Sequence, residues 1–188
     1  VFISFDIEQW ERNGFITEIG LSIYNPLSDS MCTLGSPFTP RFRTGHYILK
    51  GTEDMRNGRY VPDNKDDFLF GKSVVISKYH FVELFQNILN LYVQQYPNKV
   101  VFVGQSLKGD ITALKSLGVE FPADIPILDT EQIWKVGRPH GKSSLQVILS
   151  YLKLPYSHLH NAGNDAYHTL AAFCNLCDEV TRKILQLD

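Results

Sequence analysis

The chain has 188 residues, 44% of them hydrophobic and 20% charged, with a formal net charge of −2. That length and balance suit one soluble globular domain with a sizeable core, and exclude a protein that coats nucleic acid by bulk positive charge. No apolar run approaches the ~18 residues of a membrane span, and no signal-like segment opens the chain.

Three cysteines, Cys32, Cys174 and Cys177, make no disulfide framework. A reducing, intracellular compartment is expected, nucleus or cytoplasm first, with the mitochondrion also open. The sequence starts inside an apolar run without Met and reads as an excised domain spanning residues 1–188, from which targeting signals can be missing.

Residues 1–5, VFISF, predict a buried central strand running into Asp6-Ile7-Glu8. Alternation along a strand puts Asp6 and Glu8 on one face, about 7 Å apart. Such a pair repels in a dry site unless one acid takes a proton or a divalent cation joins them. Taken alone, a solvated acidic turn is the plainer reading. Asn13-Gly14 marks a turn. Residues 16–24 predict a second strand, antiparallel to the first, with Ile16, Ile19, Leu21 and Ile23 as its apolar positions. Pro26, Pro37 and Pro40 mark residues 26–41 as loop, and residues 41–50 read as a third strand at the sheet edge. Residues 51–76 are polar and without clear period, a long insertion loop whose Tyr60, Phe68 and Phe70 are expected to pack back on the domain.

Ser77 then reads as the N-cap of a helix carrying Phe81, Leu84, Phe85, Ile88, Leu89 and Tyr92 at helical spacing. Residues 99–104 predict a buried strand. Ser106 is expected to cap a helix ended by Gly118. Residues 125–129 predict a short strand, and Ser143 the cap of a helix to about residue 152. Asn164 is expected to cap the last helix, whose apolar stripe is Ala166, Leu170, Phe173, Cys174, Cys177, Val180 and Ile184. The order β-β-β-α-β-α-β-α-α predicts an α/β fold: a central five-stranded mixed sheet, one strand antiparallel, with helices on both faces.

Three further residues sit where this order would bring them near Asp6 and Glu8. Asp110 lies in the first turn of the helix after Val101-Phe102-Val103-Gly104, Asp165 opens the last helix, and His160 precedes Asp165 in the loop. Singly, an acid in a first turn is explained by capping, and a loop histidine by the surface. Together, the series Asp-x-Glu, Gly-Gln-Ser-x(3)-Asp and His-x(4)-Asp resembles the DEDDh branch of the DnaQ-like 3′–5′ exonucleases, on a ribonuclease H-like fold. The likeness includes the segments ITEIGLS and ILDTEQIW and covers nearly the whole chain.

The resemblance implies Asp6, Glu8 and Asp165 as metal ligands, Asp110 completing the acidic cluster, and His160 as general base. It implies two divalent ions, Mg²⁺ or Mn²⁺, and single-stranded RNA or DNA as substrate. The chemistry is coherent: two metals hold the attacking and leaving oxygens of a phosphodiester, and a histidine takes a proton near neutral pH. Where the family often has Thr after Asp-x-Glu, this chain has Gln9-Trp10. Where motif two often begins Gly-His-Asn, it has Gly104-Gln105-Ser106. Trp10, Phe15 and Ser106 are the candidate substrate-binding residues, with closure of the core edge standing equally open for the two aromatics.

Segments of the insertion and of motifs two and three are also similar to a fungal subgroup that includes members linked to messenger RNA export. There Arg56, Arg59, Lys65 and Lys72 are candidate phosphate contacts or parts of a solvated loop; Lys108 and Lys115 have the same two readings. Cys174-x-x-Cys177 fits core packing better than zinc, since no second ligand pair has the spacing. His158 and His168 are expected at the surface, with a place behind the ligands as the other reading for His168, one turn after Asp165, and Asp129 is expected outside the metal set. The competing function is a nuclease-fold binding or scaffold module that no longer cleaves, which five filled family positions disfavour. A ribonuclease H-type endonuclease fits the His-x(4)-Asp pair less well.

Overall fold

The structure, a computed structural model, describes residues 1–27 and 41–187. Pro37, Pro40 and Cys32 lie outside the described residues. In chain order the elements are β1 (Phe2–Gln9), β2 (Ile16–Tyr24), β3 (Arg43–Leu49), β4 (Val74–Ile76), α1 (Lys78–Gln95), β5 (Val101–Gly104), α2 (Lys108–Leu117), β6 (Ile127–Asp129), α3 (Thr130–Gly137), α4 (Leu145–Tyr151), α5 (Ala162–Cys177) and α6 (Glu179–Leu185). The strands form one sheet in the order β4-β3-β2-β1-β5-β6, in which β2 alone runs against its neighbours. No helix among the described residues is long and apolar enough to cross a membrane.

The expected mixed sheet with one antiparallel strand is present, but among the described residues it has six strands rather than five. The extra strand, β4, closes the 51–76 insertion and pairs in parallel with β3 through Tyr47↔Val74, Ile48↔Val75 and Leu49↔Ile76. β3 is therefore internal, not an edge. Three residues are too few to show a period, so only tertiary pairing identifies them as strand.

β1 is central because both its faces are covered. Ile3 and Phe5 point to one side, into a core with Phe81, Phe85 and Leu89 of α1 and Leu114 of α2. Phe5 stands at the centre of a ring cluster with Phe85, Phe102 and Phe121. Phe2 lies on the other side, packed with Val103, Leu170 and Phe173 beneath α5. By the same alternation Asp6 and Glu8 share the α5 side.

One glycine sets how closely α5 approaches. Gly20 is the β2 partner of Asp6, and a Cβ there would overlap the Ala162 carbonyl at the start of α5. Gly163 makes the reciprocal approach, its missing Cβ leaving room for His46 and the Phe68 ring. These contacts bring the first turn of α5, with Asp165, down onto the acidic end of β1. Gly20→Ala should push that turn off the sheet. The expected cost is about 1–3 kcal/mol, read as a lower urea midpoint with unchanged slope. A midpoint equal to wild type would show that α5 is seated by other contacts.

Several helix ends differ from expectation. Ser77 caps α1 by accepting the His80 N–H, and Gly118 ends α2 at φ 110°, both as predicted. Ser106 is not a cap: Leu107 holds that position, and Ser106 has φ 60° with its hydroxyl donated to Glu131. α4 begins after Ser144 rather than Ser143, whose hydroxyl also goes to Glu131. Asn161, not Asn164, caps α5. α3 arises where no helix was expected, because Asp129 accepts the Glu131 N–H and so acts as an N-cap.

The predicted last helix is two. Asp178 breaks it by capping α6 through the Thr181 N–H. Beyond the break Val180 and Ile184 are exposed, so the apolar stripe does not continue. Cys174 is half-buried against Phe173 and its neighbours, whereas Cys177 is exposed. His168 is buried, against the expectation of a surface position, and desolvation pushes its pKa down to about 4.

Candidate active site

Five side chains from four segments converge at the C-terminal half of β1. Asp6 and Glu8 come from the strand, Asp110 from the first turn of α2, Asp165 from the first turn of α5, and His160 from the loop before it. One ligand atom each of Glu8, His160 and Asp165 lie within 4.8 Å of one another. His160 Nδ1 is 3.7 Å from Glu8 Oε1, an ion-pair distance when the ring is protonated. The His160 backbone N–H donates to Asp165 Oδ2 at 2.9 Å. That bond fixes the histidine loop to the acid five residues on, with His160 at φ 67°.

The electrostatics are those of too many acids in too little water. Burial, then the charges of Asp165, Glu8 and Asp110, hold Asp6 well above the usual carboxylate range. Burial raises Asp110 to about 6, against opposing hydrogen bonds from its own backbone and that of Ile7. Asp165 is raised to about 7, again chiefly by burial. Proximity to Glu8 raises His160. Asp165 Oδ1 is buried with no hydrogen-bond partner among the described residues, a cost an isolated acid does not sustain unless something else completes it. A hard divalent cation fits: the donors are carboxylate oxygens, and positive charge relieves the repulsion among them.

The 51–76 segment is not a free loop but a strap tied to both sides of this cluster. On the β1 side, Trp10 Nε1 donates to the Arg56 carbonyl, the Glu11 N–H to Asn57 Oδ1, and Asn57 Nδ2 to the Gln9 carbonyl. On the α5 side, Asn64 Nδ2 donates to the Leu159 carbonyl, and Asn161 Nδ2 to the carbonyls of Asn64 and Lys65. Asn164 Nδ2 donates to the carbonyls of Asp67 and His158, while its Oδ1 accepts from Leu69 N–H. Phe68 packs by His46, and Phe70 stacks on Tyr167 at 3.6 Å, as expected of both. Tyr60 does not pack back: it is 71% exposed.

The remaining candidates separate. Trp10 and Phe15 belong to none of the hydrophobic cores of the described residues, and Trp10 is half-buried. Phe15 is 57% exposed. Lys65 is buried, its ammonium donated to the carbonyls of Thr52 and Met55, so it is a structural cation rather than a phosphate contact. Arg56 is paired with Asp63 and Asp66. Lys108 lines an open cleft of about 500 Å³ with Gln9, Gly109, Thr112, Ala113 and Ser116, beside the acidic end of β1. Lys72 and Lys115 are exposed. His158 is exposed, 3.7 Å from Asp67.

Sequence reasoning missed Glu18 and His46. Glu18 faces Glu8 across the β1–β2 ladder, and His46 faces Gly20 across β2–β3. Both are buried, joined Oε2 to Nε2 at 3.0 Å, with the other ring nitrogen on the Ser73 hydroxyl at 2.8 Å. The signal was a charged residue inside an otherwise apolar strand. Of the two residues that fasten the strap, Asn164 was visible only as a helix-start residue, and Asn161 lay in the loop before it.

Comparison with known proteins agrees with this geometry. The family model described as DNA polymerase III subunit epsilon-like, C-terminal domain (DEDDh_C) matches residues 1–176. Among curated proteins, Good for full DBP5 activity protein 2 of Saccharomyces cerevisiae is 36% identical over 97% of this chain and 36% of its own length. An uncharacterized nucleolar protein of Schizosaccharomyces pombe is 29% identical over 96% of this chain and 70% of its own. The chain thus spans little more than a third of the Saccharomyces cerevisiae relative. These relatives come from two yeasts, as the fungal reading anticipates. In fold, the chain superposes on the catalytic unit of Neurospora crassa Pan2 with TM-score 0.58 and 15% identity, covering 99% of this chain and 29% of that one. It superposes on the RNase domain of yeast Pop2 with TM-score 0.56 and 12% identity, covering 92% and 75%. The sheet order, the position of the acids and a family match over almost the whole length lead to one placement: the chain belongs to the DEDDh family, on a ribonuclease H-like fold.

Proposed function

We propose that this chain is a metal-dependent 3′–5′ exonuclease acting, as one domain, on the free 3′ end of single-stranded RNA or DNA. The observation that carries the reading is the convergence of Asp6, Glu8, Asp110, Asp165 and His160, with a buried Asp165 oxygen that nothing among the described residues satisfies. The four carboxylates would hold two divalent ions, Mg²⁺ or Mn²⁺. Bound there, the ions supply charge neutralisation and Lewis-acid stabilisation of the attacking and leaving oxygens.

The chain's own residues account for the rest. Water attacks the terminal phosphorus, the bond to the 3′ oxygen of the penultimate nucleotide breaks, and a nucleoside monophosphate leaves. His160 takes the proton of the attacking water. Its ring is part-exposed, so a water molecule reaches it, and its backbone tie to Asp165 aims it at the acidic cluster. Neutral imidazole is the active form, so activity rises with pH through the His160 pKa. The nucleolar name of the Schizosaccharomyces pombe relative supports a nuclear setting.

The test is a 5′-labelled single strand, RNA and DNA in parallel, with Mg²⁺ or Mn²⁺ and with chelator. The expected result is a ladder that shortens from the 3′ end and vanishes in chelator. Binding without products would replace this reading by that of a non-cleaving module. Internal cuts would replace it by an endonuclease.

A further inference from the structure

The strap does more than wall the site. It carries, with the turn after β1, two cation–aromatic pairs, one on the half-buried Trp10 and one on the exposed Tyr60. The Arg12 guanidinium lies over the Trp10 ring at 5.2 Å, and that of Arg59 over the Tyr60 ring at 5.1 Å. Unlike Arg56, neither arginine pairs with an acid among the described residues. Tyr60 and Phe15 leave large aromatic surfaces in water.

The two pairs are held in one frame. The Glu11 carboxylate accepts the backbone N–H groups of both Arg59 and Tyr60, at 3.0 and 3.1 Å. Glu11 follows Trp10 directly, and Glu8 of the acidic cluster lies two residues before Trp10. The platform is thereby fixed to the strand that bears Asp6 and Glu8. The Glu11 carboxylate is held in place by these bonds, and Arg56 offsets part of the charge of Asp63 and Asp66.

We infer that Trp10, Arg12, Phe15, Arg59 and Tyr60 form a stacking platform for single-stranded nucleic acid, carrying the nucleotides just 5′ of the end held at the acidic cluster. This rests on the exonuclease reading for its direction, but the surface stands on its own geometry. Exposed aromatic rings accept any base, and unpaired guanidinium groups meet the phosphates between them. Paired bases cannot splay onto the rings, so the platform favours single strands. A backbone-anchored platform binds without first being ordered.

The test uses the double variant Arg59→Ala/Tyr60→Ala and the control Tyr60→Phe. Affinity is read by anisotropy with short fluorescent oligouridylate and oligodeoxythymidylate in chelator, where nothing is cut. The double variant should bind about tenfold more weakly, and Tyr60→Phe should bind like wild type. Loss with only one of the two strands also supports the platform and identifies the sugar it prefers. Turnover of the nitrophenyl ester of thymidine monophosphate with Mn²⁺ should be unchanged, because that substrate ends before the platform. Unchanged strand affinity in the double variant would overturn the inference. So would an equal loss for polyphosphate, which has charge but no bases. If wild type cleaves nothing yet the double variant loses strand affinity, the platform stands and the exonuclease reading fails. If wild type cleaves and affinity does not change, the reverse holds.

Discussion

His160→Ala should lower turnover by roughly 10²- to 10⁴-fold while leaving Mn²⁺ affinity and strand affinity close to wild type. The side chain is the one member of the cluster that is neither an acid nor buried, and its Nδ1 stands 3.7 Å from Glu8 Oε1. Removing it takes away a proton acceptor but leaves all four acids. The backbone N–H that holds Asp165 Oδ2 survives in alanine, so the metal cluster keeps its geometry. The pH profile gives a second readout. Glu8 raises the His160 pKa above the ordinary histidine value, so wild-type activity should climb as pH rises through that range, and the variant's residual activity should lose the limb. A variant with wild-type turnover would remove His160 from the mechanism. One that also lost Mn²⁺ would make it a ligand instead.

Asp165→Asn should abolish cleavage and at the same time stabilise the metal-free protein at about pH 8. The sign follows from burial. Asp165 titrates at about 7 in the folded state against an ordinary value of 3.8. Between those values the folded chain keeps a proton that the unfolded chain has released, so metal-free stability falls as pH rises from about 4 to about 7 and levels off beyond. The whole effect is on the order of a few kcal/mol. Asparagine imitates the protonated acid, still accepts the His160 N–H and carries no charge toward Asp6. A Tm gain of roughly 5–10 °C is expected near pH 8, and almost none near pH 4. Mn²⁺ should raise the wild-type Tm, more at pH 8 than at pH 5, and should do so weakly or not at all in the variant. A metal-free variant less stable than wild type at pH 8 would show that the Asp165 charge is already compensated within the chain.

The sequence was most informative where function depends on short-range geometry. Asp6 and Glu8 share a face because strands alternate, and Asp110 and Asp165 open helices because each sits just past a strand or a polar loop. Those rules need only neighbours in sequence, and the structure brings the four acids and His160 together. Long-range pairings were not legible. Glu18 and His46 are 28 residues apart, and only the sheet register joins them. The strap looked like solvated loop because its ties, such as Asn64 to Leu159 and Asn164 to Asp67, span about 95 residues and use backbone carbonyls that sequence does not display. β4 was hidden for the same reason. The opposite error occurred at Asp178, where helical spacing of apolar residues ran on through a side-chain cap that ends one helix and begins another. Periodicity registers which residues are apolar, whereas a single capping bond decides where the axis turns.

The central claim is that the acids at the end of β1 perform hydrolysis from a 3′ end. It is tested most directly by running the 5′-labelled strand on wild type and on Asp6→Asn, purified side by side, with Mn²⁺. Asp6 sits at the focus of the cluster, repelled by Asp165, Glu8 and Asp110, and asparagine keeps its size while removing its charge. Wild type should yield a stepwise ladder receding from the 3′ end. Asp6→Asn, folded by circular dichroism, should yield at least ~10³-fold less product, the loss of several kcal/mol of metal-derived stabilisation. Equal ladders from the two proteins, or none from either, would contradict the account.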